Sequence, residues 1–143
     1  MTRAGDRAIV GVAHIGIYVP CLAAAIELFV ERLGFELTHR EVTSSGLEVA
    51  IVTLGPWDLE LVERPGEPSG IDHLALDVAD VGGAATVLAA VGVRHEGSPM
   101  AGIRDTVALW LEGEDTCGVR LHIAQPRSTG YEHPAPELEE RCT

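Results

Sequence analysis

Apolar and polar residues alternate with a period of two in two separate stretches of the chain, over residues 9–19 and 71–78. This alternation predicts strands with one buried face. His14 lies on the polar face of the first strand, and His73 holds the same place in the second. Two strands with matching registers indicate a duplicated unit.

A helical spacing of apolar residues follows each of these strands. Apolar positions recur every three or four residues over 21–33 and over 80–91, as in amphipathic helices. Gly34 and Gly92 come directly after these segments and are predicted to end the helices. The Gly82-Gly83 pair weakens the second helix by about 1 kcal/mol per glycine relative to alanine, so we expect this helix to depend on its packing.

Three strand-like runs complete each half of the chain. Those of the first half cover residues 35–42, 47–54 and 57–63; those of the second cover 93–95, 106–112 and 119–125. A Gly/Pro/Met loop over 97–103 separates two of the latter, and it is predicted to form either a lid or a plain hairpin connection. The order βαβββ therefore occurs twice.

The predicted fold class is α+β. Two tandem βαβββ repeats are expected to form a curved mixed sheet around a central cavity, with the helices on the outer face. The first repeat covers residues 9–64, the linker 65–70 and the second repeat 71–126. Residues 127–143 are rich in proline and acidic residues, and they are predicted to form a mobile tail.

The composition narrows the possible partners. The chain has 143 residues, a net charge of −12 and no lysine, which argues against nucleic acid or an anionic membrane as a partner. Its three cysteines show no CxxC spacing and are predicted to be free thiols in a reducing compartment. Without a signal peptide or an apolar run of membrane length, the sequence favours a cytoplasmic protein.

Aligning the two halves pairs Glu60 with His122 on the last strand of each repeat. Both alternate to the same side of their strands as His14 and His73, while the aliphatic residues face the helices. Imidazole and carboxylate groups together suit Zn, Fe, Co, Ni or Mn. We therefore predict that His14, Glu60, His73 and His122 bind a divalent metal ion. The alternative is that they are ordinary polar residues on a partly hydrated sheet face.

Further polar and aromatic residues are expected on the cavity face. The same alignment places Glu48 there, where it could act as an acid or a base, although exposed glutamates are also common in strands. Tyr18 and Trp110 fall on that face too, although such residues more often serve packing. The other histidines are predicted to be solvated: His39, His95 and His133.

The paired repeats with these side chains resemble the vicinal oxygen chelate superfamily, which includes glyoxalase I, methylmalonyl-CoA epimerase, extradiol dioxygenases and antibiotic-resistance proteins. Within it, the chain is most similar to methylmalonyl-CoA epimerases. The stretches that carry the resemblance are 13–17, 59–65, 72–76 and 118–126.

The resemblance implies a metal-dependent epimerase or isomerase that chelates two substrate oxygens and stabilises an enolate during proton transfer. It implies a small-molecule substrate, either an acyl-CoA or another oxygen-chelating metabolite, and a homodimer. Glu48, Glu60 and His122 are the candidates for moving the proton. The family's fourth ligand is usually glutamate, whereas this chain has His122. Three imidazoles and one carboxylate leave a divalent site with a net charge of about +1, which makes it a stronger Lewis acid.

Three alternatives stay open at the level of the sequence. A glyoxalase I-type lyase fits Glu60 and the two strand histidines equally well. An Fe(II) extradiol-type dioxygenase would use His14, His73 and one carboxylate. A metal-free small-molecule-binding or resistance protein would use Glu60 and His122 only to line a polar pocket.

Overall fold

The protein is described here by a computed structural model that covers residues 7–126. Two α-helices are present in this part, α1 (Leu22–Ile26), which continues as a π-helical turn over Glu27–Arg32, and α2 (Val81–Ala90). In the same part, two short 3-10 helices cover Ile103–Asp105 and Gly113–Asp115. The strands are β1 (Ile9–Val19), β2 (Glu36–Val42), β3 (Glu48–Leu54), β4 (Trp57–Glu63), β5 (Gly70–Val78), β6 (His95–Ala101), β7 (Thr106–Leu111) and β8 (Leu121–Pro126). The predicted order βαβββ is thus present twice.

The described chain divides into two compact units. The first unit comprises residues 14–72, and the second comprises residues 7–13 and 73–126. In the first unit the strands are ordered β2-β3-β4-β1, and in the second β6-β7-β8-β5. Neighbours pair antiparallel in both, except that β1 runs parallel to β4 and β5 runs parallel to β8. The α+β class and the mixed pairing are confirmed.

Each unit buries its aliphatic residues between a helix and one face of its strands. In the first unit Leu22 and Ile26 of α1 pack with Ala50, Val52 and Leu61. The corresponding cluster of the second unit is formed by Val78, Val81, Ala84, Leu109, Leu111 and Ile123. Because side chains alternate along a strand, burial of this set turns the polar set to the opposite face.

Both helices are capped in the same way by the last strand of their repeat. The backbone N–H of Leu22 donates to Glu63 Oε2 at 2.8 Å, and that of Val81 donates to Gln125 Oε1 at 2.8 Å. The first backbone N–H groups of a helix have no partner within the helix, so these side chains satisfy them. The contacts connect β4 and β8 to the helix of their own repeat, three residues beyond Glu60 and His122.

The segment predicted as a short strand followed by a loop is instead strand β6. It pairs with β7, with a register shift between Glu96 and Met100. Within the described residues β6 pairs with β7 alone, so it is an edge strand. An edge tolerates the proline and glycine that made residues 97–103 look like a loop.

The cysteines differ from the prediction of three free thiols. Cys21 is disulfide-bonded, so the prediction is wrong for this residue, while Cys117 is a free, exposed thiol. Cys142 and the predicted mobile tail lie outside the described residues. Across residues 7–126, every helix is too short or too polar to span a membrane.

Candidate functional site

His14 and Glu60 form a buried pair in the first unit. The parallel register of β1 and β4 sets Gly16 beside Glu60, which turns His14 and Glu60 to the same face. His14 Nε2 lies 3.2 Å from Glu60 Oε2, and the two residues are only 5% and 7% exposed. A buried carboxylate is costly without a charged or hydrogen-bonding partner, and His14 supplies one.

His73 and His122 form a buried aromatic cluster with Trp110 in the second unit. The rings of His73 and His122 are 4.9 Å apart, centroid to centroid. Trp110 lies 5.4 Å from the His73 ring and 4.8 Å from the His122 ring. Both histidines are buried. Their orientation is therefore fixed by packing against an indole.

The two clusters hold equivalent positions in the two repeats. In the first repeat the residue two positions after His14, Gly16, pairs with Glu60. In the second the residue two positions after His73, Ala75, pairs with His122. The alignment of Glu60 with His122 thus reflects an identical strand register.

Glu48 does not lie on the strand face that carries Glu60. Ile51 of β3 pairs with Glu60, whereas Glu48 alternates with Ala50 and belongs to the side packed against α1. Its Oε2 lies 4.0 Å from Arg40 Nη2. The expected position on the face of Glu60 is therefore wrong, because the sequence alignment of the halves missed the register by one residue, and such a slip exchanges the two faces.

His39, predicted to be solvated, is instead buried, with 2% of its surface exposed. Its Nε2 lies 2.8 Å from Glu41 Oε1. A register shift between Leu37 and His39 turns this histidine from the helix side to the other face, and alternation alone does not reveal such a bulge. His95 is exposed, as predicted, and bonds through Nδ1 to the Gly97 carbonyl oxygen at 2.9 Å. His133 lies outside the described residues.

Arginines cover the two aromatic residues that the alternation assigned to the polar face. The Arg64 guanidinium lies 4.2 Å from the centre of the Tyr18 ring, and that of Arg120 lies 4.6 Å from the centre of the Trp110 ring. A cavity of about 230 Å³ opens beside this second stack, lined by Glu96, Trp110, Leu111, Gly113, Gly118, Val119 and Arg120. Trp110 therefore lies between the His73/His122 cluster and a cavity large enough for a small polar group.

The side chains of each pair are of a kind that suits a divalent metal ion, both by chemistry and by burial. Three imidazoles and one carboxylate are the nitrogen and oxygen donors that Zn, Co, Ni, Mn and Fe accept. All four side chains are nearly buried on strands, and rigid strand positions restrict the geometry of their donor atoms.

The known proteins that are similar to this chain include several epimerases. A 2-epi-5-epi-valiolone epimerase from an Actinomyces species is 35% identical, over 69% of this chain and 69% of its own length. The methylmalonyl-CoA epimerase structure from Mycobacterium tuberculosis shares the fold, with a TM-score of 0.79 at 23% identity, over 90% of this chain and 94% of that chain.

A Streptomyces coelicolor methylmalonyl-CoA epimerase variant, solved in complex with 2-nitronate-propionyl-CoA, is 26% identical with a TM-score of 0.75, over 88% of this chain and 99% of that chain. The family model described as Glyoxalase/Bleomycin resistance protein/Dioxygenase superfamily matches residues 11–123. The chain therefore belongs to the glyoxalase/bleomycin resistance protein/dioxygenase superfamily.

Proposed function

We propose that the protein is a metal-dependent epimerase. The observation that carries this proposal is the identical register that gives His14 with Glu60, and His73 with His122, equivalent places in the two repeats. The relatives named above are epimerases, which supports this reaction over the others found in the superfamily.

His14, Glu60, His73 and His122 together are the proposed ligands of one divalent ion. Burial supports this role, because a carboxylate and three imidazoles are costly to bury unless they interact with a cation or with each other. When bound, the ion supplies a Lewis acid that stabilises negative charge on substrate oxygen atoms. Its identity among Co, Zn, Ni, Mn and Fe is left to measurement.

The reaction inverts a carbon next to a carbonyl group. A base removes the proton from that carbon, the electron pair of the C–H bond moves toward the carbonyl oxygen, and an acid returns a proton to the opposite face. Glu60 and His122 are proposed to take part in proton transfer. Glu48 is left out, because it lies on the helix side of β3.

The substrate is proposed to be an acyl-CoA or another metabolite that presents two oxygens for chelation. Two compounds are candidates for testing. Methylmalonyl-CoA is bound in the structure of one similar epimerase, and 2-epi-5-epi-valiolone gives its name to another similar epimerase. The net charge of −12 offers no general attraction for the phosphates of CoA, so such a substrate would rely on local arginines.

Incubation of metal-loaded protein with each compound in D₂O tests the proposed reaction. We expect one of them to gain deuterium at the carbon next to its carbonyl and to form its epimer, both followed by NMR. His14→Ala should abolish both signals, whereas His95→Ala, which changes an exposed histidine, should retain them. Absence of exchange and inversion with both compounds would contradict the proposal.

We also propose that the protein is cytoplasmic and, as the superfamily resemblance implies, a homodimer. Light scattering during size-exclusion chromatography should give twice the mass of the chain. A monomeric mass at micromolar concentration would rule out the dimer and leave the proposed reaction untouched.

A further inference from the structure

A second pair of titratable side chains lies on the same strand face as Glu60. His39 and Glu41 are two residues apart on β2, and their side chains are 2.8 Å apart. His39 pairs with Ile51, which in turn pairs with Glu60. Residues paired in this way point to the same face, so the pair shares that face with Glu60 and, through the β1–β4 register, with His14.

The distance between the two pairs suits a small substrate. His39 and Glu60 are separated by one strand, β3, so their backbones lie about 10 Å apart at the usual strand spacing. Both side chains project from the same face toward the space above Ile51. A molecule chelated beside Glu60 can therefore present an atom a few bonds away to the His39–Glu41 pair.

The two members of the pair differ in accessibility. The His39 side chain is 2% exposed, whereas that of Glu41 is 32% exposed. Oxygen atoms of an ionised carboxylate only accept hydrogen bonds, so His39 Nε2 is the donor. A buried imidazole thus fixes the orientation of a carboxylate that a substrate can reach, which is the arrangement of a base and the group that orients it.

We propose that Glu41 is a catalytic residue for proton transfer on one face of the substrate, and that His39 is its positioning residue. This inference rests on the proposed epimerase function. As the substrate C–H bond breaks, its proton forms an O–H bond with Glu41 and its electron pair moves toward the carbonyl oxygen. A protonated group on the other face, Glu60 or His122, then gives its proton to the same carbon. Exchange with water resets both groups, and nothing is oxidised or reduced.

Glu41→Gln separates this role from a structural one. Glutamine keeps the size of the side chain but accepts no proton, so inversion should fall by about 10²-fold or more. Exchange with D₂O should persist for the one substrate epimer whose proton faces the other group. Glu36→Gln is the matched control, because Glu36 is an exposed glutamate on the same strand, and it should keep both rates.

His39 is tested by rescue. His39→Ala should lower kcat with little change in KM, and His39→Gln should recover part of the loss, because the amide N–H can replace the Nε2 donor. Equal rates for His39→Ala and His39→Gln, in variants with unchanged circular dichroism, would overturn the positioning role.

The outcomes distinguish this inference from the proposed function. If the wild type inverts a substrate and Glu41→Gln inverts it as fast, the role of Glu41 is overturned and the epimerase stands. A larger loss in Glu48→Gln than in Glu41→Gln would also overturn it, since Glu48 belongs to the other face. Loss of exchange for both epimers in Glu41→Gln would contradict a role on one face only. If the wild type inverts neither compound, both the proposed epimerase function and the role of Glu41 are contradicted.

Discussion

A single difference between the two repeats sets the chemistry expected at the proposed site. Glu60 and His122 hold the same register position, but one is an acid and the other an imidazole. Because the imidazole of His122 is neutral where a carboxylate would be negative, a bound divalent ion keeps more positive charge. It then stabilises anionic substrate oxygens more strongly. The imidazole at position 122 also leaves the site with one carboxylate fewer that could act as a base. Under the proposal above, Glu41 supplies that base.

Replacing His122 by glutamate should weaken the reaction without removing the metal. A carboxylate is also a metal ligand, so His122→Glu should still bind one ion. The added negative charge should lower the exchange rate in D₂O by about tenfold or more, a loss of about 1.4 kcal/mol in transition-state stabilisation. A variant faster than wild type would contradict the role assigned to the site's charge.

The surface pair Arg94 and Asp115 should give a small acid-dependent contribution to stability. Arg94 Nε and Nη2 donate to Asp115 Oδ2 and Oδ1 at 2.9 and 3.2 Å, and this bonding lowers the pKa of Asp115. A carboxyl group with a lowered folded pKa stabilises the protein above its unfolded pKa, and the gain is lost as pH falls through the folded value.

Urea unfolding of wild type and Asp115→Asn measures this contribution. The wild type should have the higher midpoint near neutral pH, by a small margin because the Arg94 side chain is largely exposed. The two midpoints should converge once the pH lies well below the ordinary carboxyl pKa. A difference that grows on acidification would contradict the assignment.

At the scale of elements, most strands and helices can be predicted from the sequence, because the periodicity of apolar residues reflects which face is buried. β1, α2 and the strands that carry the four proposed ligands follow from alternation and helical spacing. β6 did not, because an edge strand tolerates residues typical of loops. The face of His39 was also hidden, since the register shift after Leu37 reverses the alternation. Glu48 was misplaced for a related reason, since cross-strand register is a tertiary property.

Replacing each of the two glycines in α2 by alanine should change the stability of the protein in different ways. A Cβ at Gly82 would meet Asp80 Oδ2 at an ordinary 3.9 Å, whereas one at Gly83 would lie 2.8 Å from that oxygen. The same Asp80 oxygen caps the helix by accepting from the Gly83 N–H at 2.7 Å. Alanine at 83 must therefore displace the cap.

Gly82→Ala should stabilise the protein by up to about 1 kcal/mol through helix propensity. Gly83→Ala should gain nothing or lose about 1 kcal/mol, because the capping bond is disturbed. Thermal unfolding of both variants beside wild type checks the ranking, and a more stable Gly83→Ala than Gly82→Ala would contradict the cap geometry.

At the scale of the whole molecule, duplication makes the candidate site recognisable in the amino-acid sequence itself. One strand histidine indicates little, but His14 and His73 in matching repeats point to Glu60 and His122 as a second matching pair. The sequence could not show that the repeats also share their helix caps, because Glu63 and Gln125 differ in charge. Nor could the residue types alone show which cysteine is bonded, since that depends on tertiary proximity.

The metal content of the intact chain tests the central claim most directly. Purified protein, stripped with a chelator and reloaded with Co²⁺ or Zn²⁺, should bind one ion per chain by elemental analysis. His14→Ala and His73→Ala change different repeats, and each alone should abolish tight binding, while His95→Ala should leave it intact. A chain that binds no ion, or that keeps full affinity after either substitution at His14 or His73, would contradict a single site built from both repeats.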